Sequence, residues 1–389
     1  MGIKMSAQVL ILNNQELESV LDMPSSIDAL YQGLKAYARG DAARRPRIDI
    51  FAPTSRAEEF ACFSSMEGII RGGYYAIRLK PDVISWPVVD GVKRRVTYCV
   101  EPGLYGGLIL LFSTENAALV AIMNDGFIQH MRVGATAALG ARYLSRSDAA
   151  VVGMIGSGGM ARSLALGFSA VRKLRRVKAY SPNAERLSGY CREMSEKSDV
   201  EVVPVKSARE AAQGSDIVAS CTNSMSPVLE GRWLEPGMYV ANVTRRELDE
   251  EVPRRITLVG YLAFGGDPLK LGGFSDANFE IRTNALAYVA GRPEERDCIP
   301  ATREDGMILP NARWSPCVDW RTEKAIGRQS DGDIALLAEL AGSNLHGLAS
   351  SGIQGIQFAA VAGRAYELAL ERGLGTRMDL RGFLQDIPT

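Results

Sequence analysis

Hydrophobic and polar residues follow two different patterns along the chain, and the change comes near residue 150. Before it, short runs rich in β-branched and aromatic residues are separated by Gly, Pro, Asp and Asn, which is typical of an antiparallel-type sheet. These runs are QVLIL (8–12), FACFSSMEG, YYAIRLK, RRVTYCVEPG, LILLFS and AALVAIMND.

Two predicted helices interrupt this first part. The segment IDALYQGLKAYARG has one apolar face, formed by Ile27, Leu30, Leu34 and Tyr37. It predicts a helix that Ser25 or Ser26 caps and that Gly40 ends. FIQHMRVGATAALGARYLS (127–145) predicts the second helix.

From residue 151 onward, strand-like runs alternate with helical segments. The runs are VVGMI, RVKAY, VEVVPV, DIVASCT, MYVANV and ITLVGY, and Ser207 with Glu210 forms a capping box before one of the helices. Such alternation predicts an α/β fold with a doubly wound parallel sheet. Residues 265–330 have weak periodicity, and we expect only local structure there. DGDIALLAELAG and IQGIQFAAVAGRAYELALERG, past residue 331, are predicted helices.

The turn after the first of these strands carries the most specific motif. VVGMI is followed by a G-x-G-x-x-A sequence and then directly by a helix, and the turn residues are Gly156, Ser157, Gly158, Gly159, Met160 and Ala161. Gly156 permits a tight turn, Gly158 lets the backbone approach a pyrophosphate, and Ala161 allows close helix–strand packing. The helix N-terminus offers free N–H groups to phosphates. We therefore predict that these residues bind a dinucleotide in the middle of the chain.

The end of the next strand, which normally contacts the adenosine ribose, lacks the acidic residue typical of NAD binding. Ser181 and Asn183 follow that strand and could hydrogen-bond a 2′-phosphate, with Arg186 or Arg162 supplying positive charge. We therefore favour NADP(H) as the cofactor. NAD(H) remains the alternative, with Glu185 or a neutral Asn183 at the ribose.

Two further strand ends are predicted to contact the cofactor, because ligands of open α/β sheets bind at the carboxyl edge. These residues are Cys221, Thr222 and Asn223 after the fourth strand, and Asn242, Val243 and Thr244 at the end of the fifth. Each of them could instead only cap its strand.

Composition excludes several classes of protein. The 389 residues are 46% hydrophobic and 23% charged with zero net charge, which is typical of a globular enzyme and gives no bulk charge for nucleic acid or anionic membranes. No apolar run reaches the roughly 18–20 residues that span a bilayer. Six cysteines without a C-x-x-C pair and only two histidines lead us to expect reduced thiols, a cytoplasmic location and no metal site.

A longer series of motifs surrounds the glycine turn. LVAIMNDGFIQHMRVGATAALGARYLSR (119–146) runs directly into VVGMIGSGGMA, and DIVASCTNSMSPVLEGRWLEPGMYVANVT and RRELDEEV follow. The order of these motifs resembles the ornithine cyclodeaminase/mu-crystallin family. The resemblance implies a central Rossmann-type domain, a second α+β domain built from both chain ends, and a homodimer. We expect a substrate-binding and dimerisation domain from 1–135 and 335–389, and an NAD(P)-binding domain from 136–334 that includes an extended 265–330 segment.

The resemblance also implies a substrate site. Arg47 and Arg132 match family arginines that hold the substrate carboxylate, and two guanidinium groups suit a planar carboxylate. The family's substrate-proximal lysine falls at Arg78, which cannot act as a base but could bind the same anion. Lys80 lies two residues on and could transfer a proton. His130 is a further candidate proton donor, and His346 another.

A departure from the family pattern bears on the reaction. Cyclodeaminases of the family carry an Asp after the fifth strand, and residues 240–245 here read VANVTR. We therefore expect an NAD(P)H-dependent oxidoreductase acting on a C–N bond of a small amino or imino acid, as a ketimine reductase or an amino-acid dehydrogenase. An NAD-dependent cyclodeaminase-type ammonia lyase and a dinucleotide-binding accessory protein without catalysis are the alternatives.

Overall fold

A computed structural model of the chain describes residues 8–45, 47–89, 92–263, 285–289, 294, 309–328, 330–341 and 353–385. Its helices are α1 (Asn14–Val20), α2 (Met23–Ala38), α3 (Gly126–Leu144), α4 (Gly159–Val171), α5 (Ala184–Ser198), α6 (Ala208–Ala212), α7 (Val252–Arg255), α8 (Ala338–Ala341) and α9 (Gln354–Glu371). Short 3-10 turns lie at Gly231–Trp233, Arg245–Glu247 and Leu380–Phe383.

The strands fall into two large sheets and two short hairpin pairs. They are β1 (Gln8–Leu12), β2 (Ala42–Arg44), β3 (Arg47–Pro53), β4 (Phe60–Ile70), β5 (Tyr74–Ser85), β6 (Val88–Val89), β7 (Val92–Lys93), β8 (Val96–Tyr98), β9 (Leu108–Ser113), β10 (Leu119–Asn124), β11 (Val151–Ile155), β12 (Arg176–Tyr180), β13 (Glu201–Pro204), β14 (Ile217–Ser220), β15 (Tyr239–Asn242), β16 (Leu258–Tyr261), β17 (Ala285–Val289), β18 (Arg313–Pro316), β19 (Val318–Asp319), β20 (Lys324–Ala325), β21 (Ala335–Leu337) and β22 (Thr376–Asp379).

The first sheet has the strand order β17-β3-β4-β5-β9-β10-β1-β22, with β2 and β8 beside β4 and β5. Most of its pairs are antiparallel, as predicted; β1 with β10 and β17 with β3 are parallel. Helices α2, α3 and α9 pack together, and α9 lies over β4 and β5. One face of this sheet is therefore covered by helices.

The second sheet confirms the predicted doubly wound arrangement. Its order is β13-β12-β11-β14-β15-β21-β16-β18, and every pair in it is parallel. Strands β11, β14 and β15 are almost fully buried apolar runs, because helices cover both faces of such a sheet. Their carboxyl ends meet at one edge, where the sequence predicts the dinucleotide.

Helix α3 connects the two sheets through close contact with α4. A Cβ at Gly134 on α3 would stand 2.4 Å from the carbonyl oxygen of Ser163, and one at Gly167 on α4 would stand 2.5 Å from that of Gly134. The two helix backbones therefore touch, which fixes the first sheet and its helices against the dinucleotide turn.

Several local predictions are wrong in detail. Asp22, and neither Ser25 nor Ser26, caps α2, since its carboxylate accepts a hydrogen bond from the Ser25 N–H at 2.8 Å. The capping box at Ser207 is half formed: its hydroxyl accepts from the Glu210 N–H, while the Glu210 carboxylate accepts from the Lys206 N–H. Helix α1 was not predicted, although the Asn13 and Glu16 capping box is present in the sequence.

The expected domain boundaries differ from the strand pairing at two places. Strand β17, inside the expected 136–334 domain, pairs with β3 of the first sheet. Strand β21 begins at residue 335, where the first domain was expected to resume as helix, yet it lies between β15 and β16 of the parallel sheet.

Much of the 265–330 segment and His346 lie outside the described residues. Among the residues described, no helix is long and apolar enough to cross a bilayer.

Candidate functional site

The glycine turn has the geometry that its sequence predicts. Gly156 adopts φ +124°, a conformation that favours glycine, and a Cβ there would stand 2.9 Å from the Cys221 carbonyl oxygen. Gly158 is the N-cap of α4, and no protein atom lies within 4 Å of the position its Cβ would take. Ala161 is fully buried. The open space at Gly158, at the N-terminus of α4, fits a dinucleotide pyrophosphate.

The rest of the turn is held by α4 and α5. Arg162 donates to the Ser157 carbonyl oxygen at 2.8 Å, pairs with Glu193 at 2.7 Å, and lies over the Tyr190 ring. Met160 packs against the core. Because its guanidinium is already engaged, Arg162 is less suited to a 2′-phosphate than the sequence suggests.

At the adenosine end, Ser181 is half-buried just past β12, and Asn183 and Arg186 are exposed. The Asn183 side chain caps α5 by accepting from the Arg186 N–H at 2.8 Å. The three residues selected for cofactor recognition therefore lie together at this strand end, and Arg186 keeps an exposed guanidinium there.

The ends of β14 and β15 are joined by a buried carboxylate that sequence analysis missed. Glu247 is fully buried and accepts hydrogen bonds from the Thr222 N–H and from the Asn242 amide at 3.3 Å. Burial raises the pKa of Glu247, and hydrogen bonds from Thr222 and Thr244 oppose that rise. Glu247 lies in the RRELD segment, and an acidic residue next to a strand end is the sequence feature that could have identified it.

This carboxylate changes the role of the strand-end residues. The Asn242 amide donates to the Ser220 hydroxyl and the Thr244 carbonyl oxygen, both at 2.8 Å, so its side chain is engaged inside the protein. Cys221 points its thiol at the Ile155 carbonyl oxygen, and burial raises its pKa. Asn223 is exposed at the rim, and Val243 is half-buried. The Asn242 side chain thus supports the rim, and the expected cofactor contact at this strand end stays a prediction.

The face of the first sheet that α9 covers, called the inner face below, carries charged side chains on three neighbouring strands. Asp49, Ser64 and Lys80 stand opposite one another across β3, β4 and β5, and Met66 stands opposite Arg78. Residues two apart on one strand share a face. The Arg47 guanidinium reaches across to the Ser64 hydroxyl at 2.9 Å and pairs with Asp49 at 2.7 Å. Lys80 pairs with Asp82, in the same row of β5.

Arg78 and Arg132 flank one aromatic ring. The two guanidinium carbons lie 5.2 and 5.3 Å from the centre of the buried Phe358 ring of α9. Arg78 is almost fully buried and donates to Asp125 at 2.7 Å, so its charge is balanced. Phe358 was not predicted, because an apolar position on a helix gives no sign of such a role.

Arg132 differs from Arg78 because its partners are neutral. It donates to the side-chain oxygens of Gln129 at 2.9 Å and Gln357 at 2.7 Å. Burial, followed by the positive charges of Arg78 and Arg47, lowers the pKa of Arg132 to about 9. Within the described part of the chain no carboxylate pairs with it. A half-buried cation of this kind favours an incoming anion.

His130 lies two residues before Arg132 but faces the dinucleotide turn. A Cβ at Gly159 would stand 2.5 Å from its Nε2 atom. Burial lowers the pKa of His130. The ring also lines a cleft of about 310 Å³ between α1, α3, α4 and α5.

The structure therefore brings Arg47, Arg78, Lys80 and Arg132 to one region and places His130 at the cofactor turn. No group of three potential metal ligands occurs among the described residues.

Part of the chain is similar to one family of known proteins. The model of the ornithine cyclodeaminase/mu-crystallin family matches residues 105–262. A Delta(1)-pyrroline-2-carboxylate reductase of Bacillus cereus is 23% identical over 274 residues, 70% of this chain and 74% of that protein.

Two solved structures share the fold. The Delta(1)-pyrroline-2-carboxylate reductase of Thermococcus litoralis, in complex with NADH and L-proline, has a TM-score of 0.67 at 24% identity and covers 95% of this chain and 99% of its own. An archaeal alanine dehydrogenase dimer with bound NAD has a TM-score of 0.63 at 20% identity, with 95% and 99% covered.

Proposed function

We propose that the chain is a member of the ornithine cyclodeaminase/mu-crystallin family, whose model matches residues 105–262, and that it is an NAD(P)H-dependent oxidoreductase that acts on a C–N bond. Its reaction is imino-acid or ketimine reduction, or the reverse oxidation of an amino acid. Arg132 carries this proposal, because the described partners of its guanidinium are neutral and its guanidinium carbon lies 5.3 Å from the centre of the Phe358 ring. It lies on the helix whose His130 touches the glycine turn.

When bound, the cofactor supplies the hydride to the imine carbon, or accepts it in the reverse direction. Arg132 holds the substrate carboxylate, and Arg47, fixed by Asp49 and Ser64, reinforces it from β3. Lys80 is the proposed proton donor to the imine nitrogen, since its ammonium group lies on the same face and is held by Asp82. His130 stays with the cofactor turn as a second candidate.

A cyclodeaminase-type lyase is less well supported. No aspartate stands between Val240 and Arg245. The Asn242 side chain at that strand end is occupied by Ser220 and Glu247. Glu247, the carboxylate that lies at this rim, is fully buried and hydrogen-bonded to Thr222 and Asn242, and residues 240–245 contain no carboxylate for ring closure and ammonia loss.

We also propose a cofactor preference, an oligomeric state and a cellular location for the protein. We favour NADP(H), because Ser181, Asn183 and Arg186 gather where a 2′-phosphate would lie. We propose a homodimer formed through the uncovered face of the first sheet, with 1–135 and the C-terminal helix as the main part of the substrate and dimerisation unit. A cytoplasmic location agrees with the five described cysteines, which are all free thiols.

The test is a titration followed by turnover. The purified protein is titrated with NADPH and with NADH, and reduced-nicotinamide fluorescence is followed. Cyclic and acyclic imino acids are then added, and the consumption of the cofactor is measured. One reduced cofactor consumed per amine formed supports the reductase. Ammonia release without net change in cofactor would show a lyase, and binding without either reaction would show an accessory protein.

A further inference from the structure

The Arg132 guanidinium has five N–H groups, and hydrogen bonds to two glutamines use three of them. The Gln129 side-chain oxygen accepts from Nε at 3.3 Å and from Nη2 at 2.9 Å, so it lies on the Nε side of the group. The Gln357 side-chain oxygen accepts from Nη1 at 2.7 Å. One N–H on each terminal nitrogen therefore has no acceptor among the described residues.

The carboxylate whose charge acts on Arg132 is that of Asp125, and it is already paired. Arg78 binds it through Nε at 2.7 Å and Nη2 at 2.5 Å, and both residues are almost fully buried. The guanidinium carbons of Arg78 and Arg132 lie 5.2 and 5.3 Å from the centre of the same Phe358 ring. Of two neighbouring arginines, one thus has a carboxylate as its partner and the other has two amides.

The orientation of the Gln357 amide is determined by Thr136. The Thr136 hydroxyl donates its hydrogen to the Arg132 carbonyl oxygen at 2.8 Å, so its oxygen is left to accept from the Gln357 amide nitrogen at 2.9 Å. The amide oxygen is thereby turned towards the guanidinium. Gln357 and Thr136 are each only 1% exposed, so water has little access to these bonds.

The amide at position 357 differs in its effect from the two nearest alternatives. A carboxylate in the same place would form an ion pair with Arg132 and use the charge that an incoming anion needs. An apolar side chain of similar length would leave the Nη1 side of the guanidinium without an acceptor. An amide oxygen orients the group and leaves its charge available.

We propose that Gln357 is a positioning residue for substrate binding: its amide oxygen orients the Arg132 guanidinium, and its lack of charge reserves that guanidinium for the substrate carboxylate. This inference rests on the proposed function, which assigns the substrate carboxylate to Arg132. The N–H left on each terminal nitrogen is the donor for one carboxylate oxygen. Gln357 acts through Arg132 and takes no part in the transfer of hydride or proton.

The experiment compares ligands that differ only in the charge of this carboxyl group. The protein, saturated with oxidised cofactor, is titrated by calorimetry with L-proline and L-prolinamide, and with L-alanine and L-alaninamide. The wild type should bind at least one acid about 10- to 100-fold more tightly than its amide. Gln357→Glu should abolish this preference by weakening the binding of the acid alone, because the introduced carboxylate pairs with Arg132. Its Tm should not fall.

A second variant separates orientation from charge. Gln357→Met removes both hydrogen bonds without adding a charge. It should weaken the binding of the acid by about 3- to 10-fold and keep a preference for the acid, because Arg132 remains an unpaired cation. Gln15→Glu, the same change at an exposed position of α1, is the matched control and should leave every affinity unchanged.

Three results of the titration would overturn the inference. The first is equal binding of acid and amide by the wild type. The second is a wild-type preference for the acid in Gln357→Glu. The third is equal weakening of acid and amide together with a lower Tm in Gln357→Glu, which is the result that a merely structural role gives.

Turnover separates this inference from the proposed function. Hydride transfer to an imino acid with the same KM in the wild type and in Gln357→Glu upholds the oxidoreductase and overturns the role of Gln357. A preference for the acid that depends on Gln357, without hydride transfer to any imine, upholds the positioning role and overturns the oxidoreductase. Absence of both binding and hydride transfer overturns both.

Discussion

At the residue scale, Arg132 is the group on which the proposed chemistry depends most. Two glutamine oxygens orient its guanidinium without neutralising it, and Phe358 supports one face of it. The Gln357 amide is itself fixed by the Thr136 hydroxyl at 2.9 Å. The side chain is therefore pre-oriented while its charge stays available to a carboxylate.

We predict that Arg132→Met raises the KM for the imino acid by about 10- to 100-fold, because a charge-assisted contact with the carboxylate is lost. Cofactor affinity should stay unchanged, since the dinucleotide turn lies on α4. Steady-state kinetics together with NAD(P)H titration check this. Arg142→Met, at an exposed position of the same helix, should behave as wild type, and an unchanged KM in Arg132→Met would contradict the assigned role.

A second residue, Glu339, makes the stability of the parallel sheet depend on pH. It follows β21 and is almost fully buried; its Oε1 atom accepts from the Leu262 and Ala263 N–H groups at 2.6 and 2.8 Å. Its Oε2 atom has no hydrogen-bond partner among the described residues. Burial raises the pKa of this carboxyl from 4.5 to about 7.

Between these two pKa values the folded protein keeps a proton that the unfolded chain has lost. The free energy of unfolding should therefore fall as the pH rises from 4.5 to about 7, and level off above that. The full change is roughly 3 kcal/mol at most. Urea unfolding at a series of pH values should show a flatter profile for Glu339→Gln. The exposed Glu250→Gln should keep the wild-type profile, and a wild-type profile in Glu339→Gln would exclude this carboxyl as the cause.

At the scale of elements, the contact between α9 and β4 holds the substrate site together. A Cβ at Gly355 would stand 1.8 Å from the Glu67 carbonyl oxygen, and one at Gly68 would stand 2.3 Å from the Gly355 carbonyl carbon. The helix thus rests on the strand backbone. Phe358 and Gln357 reach Arg132 only because α9 starts this close to the sheet.

Gly355→Ala should destabilise the protein by about 1–3 kcal/mol, since backbone atoms on both sides must move apart. It should also lower kcat/KM, because the displaced helix carries the partners of Arg132. Gly189→Ala on α5 is the matched control, as no atom lies within 4 Å of its added Cβ. The free energy of unfolding of that variant should rise by up to about 1 kcal/mol, because alanine has a higher helix propensity than glycine. Thermal unfolding of both variants measures the difference, and equal Tm values would contradict the contact.

Elements are predicted correctly where one continuous stretch of sequence is enough to identify them. The strand, glycine turn and helix of residues 151–171 form one continuous pattern, and the structure confirms them. Helix α3 agrees with its predicted range within one residue at each end. Strand β21 was predicted as helix, because ALLAEL is a short apolar run whose strand half is determined only by pairing with β15 and β16.

The site was predictable only in part, for a similar reason. Arginines and a lysine could be selected one by one from the resemblance. Their partners Asp49, Asp82 and Asp125 depend on register and burial, which no single strand specifies. Glu247 and Phe358 come from segments far along the chain.

At the scale of the whole molecule, the first sheet has one face covered by helices and one face that no described helix covers. The exposed side chains include Phe63, 60% exposed, and Ile50, 51% exposed, which are cross-strand neighbours on β4 and β3. Leu79 and Leu108 are paired across β5 and β9 and are also exposed. Contiguous apolar surface on a sheet face is typical of a protein–protein contact.

The two-fold pairing of this face with a second copy would bury these side chains and leave the helix-covered site on the other side of the sheet. We predict that the wild type is a dimer and that Phe63→Asp is a folded monomer, because a carboxylate in the centre of an apolar contact would be buried without a partner. Light scattering gives the mass, and circular dichroism verifies the fold. Phe383→Asp, equally exposed but in the C-terminal turn, should remain dimeric. If the wild type is monomeric at micromolar concentration, or if Phe63→Asp stays dimeric, the open face is not the interface.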